Sequence, residues 1–401
     1  MPKILWLSPY SLHDTSSGAS VNVKDMLENL VKIGFEVWSC ASFVFDNKSG
    51  TLTFGDLDRK LSTDPHRTFI LDDNGIHYVY TRCQKRNEME FTLAEGQLLY
   101  DTFLDILDEF KPDIVMGYCP GMASLSCFAE ARRRGIKTIY TLYNSNHGHF
   151  SFPLYDLVIT DSHATARLYA ERDHINVVPV GISLKPERFV NPNRDPKYIT
   201  FINPVGAKGV AIFAKIAHIC QKEMPDQKFL VLNTRGVFSE TVSLLHEKDD
   251  ANKHPFTASD FPNVDMTGPQ TDMRPVYGIT KALIAPSLWF ESWGRVTSEA
   301  ALNQIPVLCS TSGGLPEAMC GCGVALDTPE HCRNDFYSLP TDEEIRPWVE
   351  GLKTILNTDY SEQFKIAQQQ LAPETTTRRL LDALSGLLRQ RATDNPLYYY
   401  R

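Results

Sequence analysis

The feature that most constrains the fold is an alternation of short apolar runs with amphipathic segments of helical period. The apolar run KILWLSP precedes a polar loop ending at Gly18, a helical segment, VNVKDMLENLVKIG, and a second apolar run, FEVWSCAS. Strand, loop, helix and strand in this order are typical of a parallel sheet, because parallel strands are joined by crossover connections. The order continues with further predicted strands, DIVMGY, KTIYTLY and YDLVITDS. The first half of the chain is therefore predicted to be doubly wound.

The alternation starts again after the segment VVPVGISLKPERFVNPNRDP, whose prolines, glycine and mixed polarity favour a linker. The strands predicted beyond it are YITFIN, KFLVLN, ALIAPS and IPVLCS. A chain of 401 residues also exceeds the size at which one hydrophobic core usually stops growing. We predict an α/β protein with two tandem Rossmann-like domains, 1–183 and 184–375, and a ligand in the cleft between them at the carboxyl ends of the strands. The C-terminal helix and tail, 376–401, are predicted to pack back on the first domain.

The charge balance and the hydrophobic pattern exclude several classes of protein. Lys and Arg number 40 against 49 Asp and Glu, a formal net charge of -9, whereas a nucleic-acid binder would carry a basic footprint. No apolar run reaches the ~18 residues of a membrane-spanning helix, and the N-terminal run is too short for a secretory signal. We therefore expect a globular cytoplasmic protein without a transmembrane segment, for which peripheral contact with a membrane stays open.

The nine cysteines are scattered through apolar surroundings, which favours reduced thiols in a cytoplasmic protein. Cys320, Cys322, His331 and Cys332 form a group with the composition of a metal site. Their C-G-C spacing is shorter than that of structural zinc sites, so no metal site is predicted.

Two carboxylates in the segment FESWGRVTSEA (290–300) raise the question of function. Glu291 and Glu299 are eight residues apart, which corresponds to about 12 Å along an α-helix. The two carboxyl groups of a glycoside hydrolase lie about 5 to 5.5 Å apart in retaining enzymes and about 6.5 to 9.5 Å apart in inverting ones. The pair suits the two ends of an extended ligand better, with amides around Gly294 at a helix start to meet a negatively charged middle. A nucleotide-sugar has that layout of sugar hydroxyls, diphosphate and ribose hydroxyls.

The pattern E-x7-E in ESWGRVTSE, followed by NQIPVLCSTSGGLPE, resembles the donor-binding signature of the retaining family-four glycosyltransferases, which have the GT-B fold. Further similar segments occur in the family's order: Gly18 in the first loop, VVPVGISLKPERF, and FINPVGAKGV. Together they extend from Lys3 to about Ala325. The resemblance implies a nucleotide-sugar donor held mainly by the second domain, an acceptor held mainly by the first, and no required metal or other cofactor. A UDP-sugar is the default donor.

The resemblance also implies roles for individual residues. Glu291 would contact hydroxyls of the donor sugar, and Glu299 the ribose hydroxyls. Lys208 would bind the phosphates, and Gly18 would let the helix start of the first domain approach the diphosphate. The backbone amides expected to face the sugar and the diphosphate are those of Trp293, Gly294, Arg295 and Val296. Simpler interpretations stay open. Gly18 could be a helix-entry glycine, Lys208 a surface lysine, and Glu291 and Glu299 a helix cap and a surface charge.

The chain departs from the family at the expected diphosphate site. Family members usually carry an arginine five residues before the lysine, where this chain has Asn203. The change removes a guanidinium that could bind phosphate with two hydrogen bonds. Arg295 either replaces that arginine or is an ordinary salt-bridged surface residue.

A second departure concerns the reacting centre. Tyr118 and Tyr143 stand at positions where the family often has histidines. Two loop histidines, His147 and His149, are candidates to take over contacts with the sugar or the acceptor, or they are local hydrogen-bond partners. His147 is accordingly predicted to join the catalytic residues that the resemblance implies.

Several other functions fit the sequence less well. A metal-dependent transferase would need a D-x-D motif on its nucleotide domain, but Asp56 and Asp58 lie in a polar excursion at about 46–90. A dinucleotide-dependent oxidoreductase would need G-x-G-x-x-G after the first strand, where only Gly18 occurs. A nucleotide-sugar epimerase of similar fold and a non-catalytic two-domain binding protein stay as alternatives. The prediction is a retaining glycosyltransferase that moves a sugar to a hydroxyl acceptor, with the excursion shaping the acceptor side.

Overall fold

The computed structural model of the protein describes residues 2–45, 66–84, 90–118, 121–147 and 152–389. The chain divides into two compact units. Unit 1 consists of the described residues of Met1–Asp161, Ala166–Leu184 and Pro373–Arg401, and unit 2 consists of Ser162–Thr165 and Lys185–Ala372. Within the described ranges, no helix has both the length and the apolar composition needed to cross a membrane.

Unit 1 is built on a sheet of eight described strands. In chain order these are β1 (Lys3–Tyr10), β2 (Glu36–Val44), β3 (Thr68–Asp73), β4 (Ile76–Thr81), β5 (Ile114–Gly117), β6 (Lys137–Leu142), β7 (Leu157–Thr160) and β8 (Val178–Pro179). Across the sheet they follow the order β3-β4-β2-β1-β5-β6-β7-β8, and all neighbours are parallel except β3 with β4. The helices are Gly18–Lys32, Leu93–Phe110, Met122–Arg133, Pro373–Arg389 and most of His163–Asp173.

Unit 2 has six described strands, all parallel. They are β9 (Tyr198–Ile202), β10 (Lys228–Leu232), β11 (Val264–Thr267), β12 (Thr280–Ala285), β13 (Val307–Ser310) and β14 (Gly323–Leu326). Their order, β11-β10-β9-β12-β13-β14, is the 3-2-1-4-5-6 order of the Rossmann fold. The helices are Val210–Glu223, Phe238–Thr241, Arg274–Ile279, Arg295–Leu302, Leu315–Ala318, Glu330–Asn334, Asp342–Asn357 and Ser361–Gln370. Short 3-10 turns occupy Pro186–Arg188, Gly206–Lys208, Val242–Leu244 and Ala258–Asp260.

The strand order places one switch point in each sheet. In unit 1 the chain adds strands on one side of β1 and then, from β5 onward, on the other side. In unit 2 the same change of side occurs between β9 and β12. Connections on the two sides of a switch point diverge, so a crevice opens there at the carboxyl ends of the strands. This is where a ligand is expected in each unit.

The cores follow from the apolar strands and the apolar stripes of the helices. Six of the eight residues of β1 are buried, as expected for a parallel strand covered on both faces. The C-terminal helix Pro373–Arg389 adds Leu380, Leu384 and Leu387 to a core cluster of unit 1 that includes Leu27. In unit 2, the helix Asp342–Asn357 contributes Trp348 to the main core cluster. Each sheet thus has its own hydrophobic core.

The structure differs from the sequence predictions in two places. The excursion at 46–90 contains the hairpin of β3 and β4, whose strands were not predicted. The segment DDNG (72–75) is typical of a turn, and it forms the turn of this hairpin. Asn74 and Gly75 both have positive φ there, 51° and 79°, as a two-residue hairpin turn requires. The pattern of TVSLLHEK (241–248) predicts a helix, but the structure has here only the end of the short helix Phe238–Thr241 and a 3-10 turn after it. Asp56 and Asp58 lie outside the described residues.

Replacing Gly209 by alanine is expected to destabilise unit 2. Gly209 joins β9 to the helix Val210–Glu223 at φ +84°, and an added Cβ would lie 1.9 Å from the carbonyl oxygen of Pro286. Backbone on both sides leaves no flexible atom to move, so Gly209→Ala should cost about 2 kcal/mol or more. Gly18→Ala is the matched control at a helix start in unit 1, because its Cβ would meet no atom within 4 Å. Urea unfolding midpoints test both; equal stability of the two variants would contradict the prediction.

The loop after β1 is tied to the β3–β4 hairpin by a buried histidine. His13 is 6% exposed, and its Nδ1 and Nε2 are hydrogen-bonded to the hydroxyl of Tyr80 (2.7 Å) and to Asp73 (3.1 Å). Burial, and next the charge of Lys24, lower the pKa of His13 from 6.5 to about 4. The hairpin therefore fixes the loop that leads to Gly18.

Because unfolding returns the pKa of His13 to its ordinary value, the unfolded chain binds this proton between pH 6.5 and about 4 while the folded chain does not. Stability is therefore lost as the pH falls through this window, by up to about 3 kcal/mol. His13→Asn should reduce the loss relative to the unchanged protein, as measured by urea unfolding at several pH values from 7 to 4. His66→Asn, at an exposed histidine, controls for loss of an imidazole. Parallel pH profiles for the protein and His13→Asn would show the prediction to be wrong.

Candidate functional site

The predicted site residues of unit 2 lie on loops at the switch point between β9 and β12. The loop after β9 carries Asn203 and, at the end of a 3-10 turn, Lys208. The loop after β12 carries Ser287 and Glu291. Both loops leave the carboxyl ends of adjacent parallel strands, so the topology alone brings them to the same edge of the sheet.

Backbone contacts hold the two loops together. The backbone amides of Leu288 and Trp289 both donate to the carbonyl of Ala207, at 3.0 and 3.1 Å. Gly209 lies so close to the carbonyl of Pro286 that only glycine fits. The backbone of Lys208, next to this contact, is therefore held in place, whereas its long side chain can change conformation.

Lys208 and Glu291 form an ion pair. The Nζ of Lys208 lies 2.5 Å from Oε1 of Glu291, and the hydroxyl of Ser287 donates to the same oxygen at 2.7 Å. The Lys208 side chain is 36% exposed and that of Glu291 14%. The carboxylate is thus oriented from two sides, while the ammonium group stays accessible to an anion.

The segment Ser312–Gly314, which follows β13, contacts the loop that carries Glu291. An added Cβ on Gly313, at φ +61°, would lie 2.0 Å from the carbonyl oxygen of Glu291, and the amide of Gly314 donates to that oxygen at 2.7 Å. The hydroxyl of Ser312 donates to the carbonyl of Trp289 at 2.6 Å. This segment therefore holds the backbone of Glu291 in place. The paired glycines in TSGG are the signal that could have revealed it.

Glu299 belongs to a separate cluster. Its Oε1 accepts from Nε of Arg295 at 2.6 Å, and its Oε2 accepts from the hydroxyl of Tyr277 at 2.7 Å. Burial, and next the charge of Glu299, raise the pKa of Tyr277 well above its ordinary value, so this hydroxyl keeps its proton and donates. Tyr277 joins the candidate site through this hydrogen bond, and no local sequence signal predicts it, because Glu299 is 22 residues away in the chain. Arg295 is thus ion-paired, on the same helix as Glu299.

The helix Arg295–Leu302 begins at Gly294, whose φ is +99°. This left-handed conformation favours glycine, and an added Cβ would also lie 2.3 Å from Cδ2 of the Leu315 side chain. The indole of Trp293 is buried and donates from Nε1 to the hydroxyl of Ser298 at 2.9 Å. The side chain of Trp293 therefore packs inward, and only backbone amides of this turn, including that of Val296, stay candidates for ligand contact.

Asn203 has φ +67°, a left-handed conformation that asparagine adopts more readily than most residues. Its backbone amide donates to the carbonyl of Leu232 at 3.0 Å. Its Oδ1 is buried and has no hydrogen-bond partner within the described part of the chain. The residue shapes the loop but brings no positive charge.

The remaining predicted residues lie in unit 1. Gly18 is the first residue of its helix, which Ser17 caps, and the space beside its Cα is open. His147 Nε2 is hydrogen-bonded to the hydroxyl of Tyr140 at 2.9 Å. Burial, and next the charge of Arg172, lower the pKa of His147 to about 4, so the imidazole is neutral near pH 7.

Two other positions of interest follow β5 and β6. The hydroxyl of Tyr118 accepts from the side-chain amide of Asn144 at 3.2 Å. Tyr143 packs against a core cluster of unit 1. His149 lies outside the described residues. Among those that are described, no three His, Cys, Asp or Glu side chains are grouped so as to hold a metal ion.

Comparison with known sequences gives no assignment: no family model matches the chain, and no curated protein resembles it significantly in sequence.

Solved structures are similar over almost the whole chain. A glycosyltransferase from Rickettsia africae has a TM-score of 0.65 at 14% identity, covering 97% of this chain and 99% of that one. HepE of Anabaena, solved with UDP and glucose, has a TM-score of 0.61 at 16% identity, with 96% and 100% covered. A sucrose-phosphate synthase from Thermosynechococcus elongatus has a TM-score of 0.59 at 14% identity, with 97% and 99% covered. Identities this low bear on the fold alone, and that fold is the α/β architecture of the GT-B glycosyltransferases.

Proposed function

We propose that the protein is a retaining, metal-independent glycosyltransferase that moves a sugar from a nucleotide-sugar, by default a UDP-sugar, to a hydroxyl acceptor. The observation that carries the proposal is the Lys208–Glu291 pair at the switch point of unit 2. It places an accessible cation and an oriented carboxylate where Rossmann folds bind ligands. HepE, which shares the fold, has been solved with UDP-glucose bound, and this supports the choice of donor.

In this proposal Lys208 binds the diphosphate and Glu291 accepts hydrogen bonds from hydroxyls of the donor sugar. The ion pair already present holds both groups ready, and a phosphate would share the ammonium group with the carboxylate. Because Ser287 also donates to Glu291, the carboxylate keeps a partner when Lys208 turns to the phosphate. The backbone amides at the start of the helix Arg295–Leu302 add partial positive charge.

Glu299 is proposed to accept hydrogen bonds from the ribose hydroxyls. Tyr277 and Arg295 approach its two oxygens from different sides and fix the plane of the carboxylate. A carboxylate oxygen can accept more than one hydrogen bond, so both oxygens retain capacity for a diol. We therefore assign Arg295 a positioning role on Glu299 rather than the role of the arginine that Asn203 replaces.

The transfer step needs little covalent chemistry from the protein. The bond between the anomeric carbon and the diphosphate breaks, and a bond from the acceptor oxygen forms on the same face through a short-lived oxocarbenium-like ion pair. The leaving diphosphate takes the proton of the acceptor hydroxyl. Lys208 and the helix-start amides stabilise the charge that grows on the diphosphate. Glu291, engaged by Lys208 and Ser287, acts by orientation and not as a nucleophile.

The roles of Gly18 and His147 stay predictions within this proposal. The open space at Gly18 is compatible with close approach of a ligand to the helix start. A neutral His147 can donate or accept a hydrogen bond but adds no positive charge near pH 7.

Removing the Lys208 ammonium group is expected to lower sugar transfer strongly. Lys208→Ala and Glu291→Ala should each reduce the rate of nucleotide release from the preferred donor by about 10²–10³-fold. The first loses the charge that stabilises the leaving diphosphate, and the second loses the carboxylate that orients the donor sugar. The measurement is a coupled assay of nucleoside diphosphate release with a panel of UDP-, GDP- and ADP-sugars. A thermal-shift screen with the same nucleotides identifies the donor beforehand, since a ligand of the native state raises stability.

Lys215→Ala is the matched control, because Lys215 also forms an ion pair in unit 2, with Asp342. All three variants should unfold within about 1 kcal/mol of the unchanged protein, as expected for partly exposed ion pairs. Near-normal turnover in both Lys208→Ala and Glu291→Ala would refute the proposed site.

The same assay separates the alternatives. A nucleotide-sugar epimerase would convert the donor to a second nucleotide-sugar without releasing nucleoside diphosphate, and product analysis without acceptor would detect this. A non-catalytic binding protein would be stabilised by the donor but release no nucleotide. Slow hydrolysis of one donor in the absence of acceptor supports the transferase.

A further inference from the structure

The charges at the candidate site of unit 2 nearly cancel before any ligand binds. Lys208 brings a positive charge, and Glu291, which pairs with it, brings a negative one. Asn203, on the same loop as Lys208, adds no charge. A diphosphate carries more negative charge than one ammonium group can neutralise, and more develops on it when the sugar leaves. A site that binds a diphosphate here therefore needs a second cation close to Lys208.

The loops at the carboxyl ends of the six strands of unit 2 limit which residue could supply that cation. Between the end of each of these strands and the next α-helix, the cationic residues are Lys208 and Arg235. Two more arginines begin helices: Arg274 follows the edge strand β11, and Arg295 is ion-paired with Glu299. Arg235 follows β10, the strand that is hydrogen-bonded to β9. The topology therefore indicates Arg235.

Close packing holds the loop after β10 against the loop that carries Lys208. Gly236 is the residue after Arg235. An added Cβ on Gly236 would lie 2.7 Å from the carbonyl oxygen of Pro204 and 2.8 Å from Cγ1 of Val205. The backbone amide of Lys208 donates in turn to the carbonyl of Val205 at 3.0 Å. Arg235 and Lys208 thus belong to adjoining turns at the same edge of the sheet.

The turn that carries Arg235 is also held from within. The side-chain oxygen of Asn233 accepts from the backbone amide of Phe238 at 2.9 Å, and the ring of Phe238 is buried. Arg235 itself is exposed, so an anion in solution can reach its side chain. A guanidinium group binds phosphate oxygens with two parallel hydrogen bonds, which a single ammonium group cannot do. A fixed turn thus carries a long cationic side chain beside the Lys208 loop.

We propose that Arg235 binds the diphosphate of the ligand together with Lys208, so that two neighbouring strands each supply one cation. The inference rests on the part of the proposed function that places a diphosphate at Lys208. Because Lys208 is shared between Glu291 and the phosphate, Arg235 supplies the positive charge that the ion pair offsets. It also stabilises the charge that grows on the diphosphate as the sugar leaves.

Titration calorimetry of the full-length protein with UDP, GDP and ADP tests the role of Arg235, and the free nucleoside of the tightest ligand is followed by saturation-transfer NMR. Arg235→Ala should weaken binding of the diphosphate about 10- to 100-fold, because charge-assisted hydrogen bonds are lost. Binding of the nucleoside should not change. The affinity of Arg235→Ala for the diphosphate should also depend less on salt concentration.

Two further variants separate charge from side-chain length. Arg235→Gln keeps much of the length without the charge and should weaken the diphosphate as Arg235→Ala does. Arg235→Lys keeps the charge but loses the paired hydrogen bonds, so its affinity should lie between those of the unchanged protein and Arg235→Gln.

Arg346→Ala is the matched control, because Arg346 is also a partly exposed arginine of unit 2 but pairs with Glu223. It should leave binding of the diphosphate unchanged. The inference is overturned if Arg235→Ala and Arg235→Gln bind the diphosphate as tightly as Arg346→Ala does. It is also overturned if these variants weaken the nucleoside as much as the diphosphate, since Arg235 would then act on the base, the ribose or the fold.

Nucleotide release, measured on the same protein samples, keeps the two proposals apart. If Lys208→Ala stops sugar transfer while Arg235→Ala binds the diphosphate normally, the transferase stands and the role of Arg235 is refuted. If the diphosphate binds through Arg235 but no donor releases nucleotide, the transferase is refuted and the role of Arg235 stands. If no nucleoside diphosphate binds, both are refuted.

Discussion

The contact of Gly209 with the carbonyl of Pro286 is the constraint on which the candidate site of unit 2 depends. It lets the loops after β9 and β12 touch through their backbones, with the amides of Leu288 and Trp289 donating to Ala207. Lys208 then lies beside Glu291 because the main chain brings them together, and the ion pair is a consequence of that approach. Gly313, which lies C-terminal to Glu291 in the chain, makes a similar close approach to the carbonyl of Glu291 and supports the backbone that carries the carboxylate. The backbone contacts therefore determine the position of the site, and the ion pair depends on them.

The two units share a topology but differ in the chemistry at their switch points. Unit 2 places a lysine and a carboxylate there, which suits an anionic ligand that also has hydroxyl groups. Unit 1 places aromatic rings, serines and one carboxylate there, and the described residues that line a cavity at this point include no cationic side chain. The same kind of switch point can thus carry different ligand chemistry, because the fold determines where a ligand binds and the loops determine which ligand binds.

Most of the fold could be predicted because its signals are local. The apolar runs of the parallel strands and the stripe of the helix Leu93–Phe110 are readable in short windows of sequence. The β3–β4 hairpin was missed. The edge strand β3 has alternating exposure and leaves no continuous apolar run. The inner strand β4 is mostly buried and its segment IHYVYT is mostly apolar, so this strand could have been predicted. At the site, Glu291, Glu299 and Lys208 could be proposed from spacing and resemblance. Tyr277 could not, because nothing local indicates that a buried hydroxyl meets a carboxylate on another helix.

The position of the helix Pro373–Arg389 has a consequence for biosynthesis. Unit 1 is discontinuous in sequence: its sheet is encoded first, but Leu380, Leu384 and Leu387 of its core are encoded near the end. During translation, the apolar surface beside Leu27 stays exposed to solvent until unit 2 has been synthesised, because the helix that covers it comes last. Unit 2 can fold before unit 1 is finished, although its sequence comes later. A polypeptide truncated before residue 373 would keep that surface exposed and would be prone to aggregate, even though all the described strands of both sheets are present.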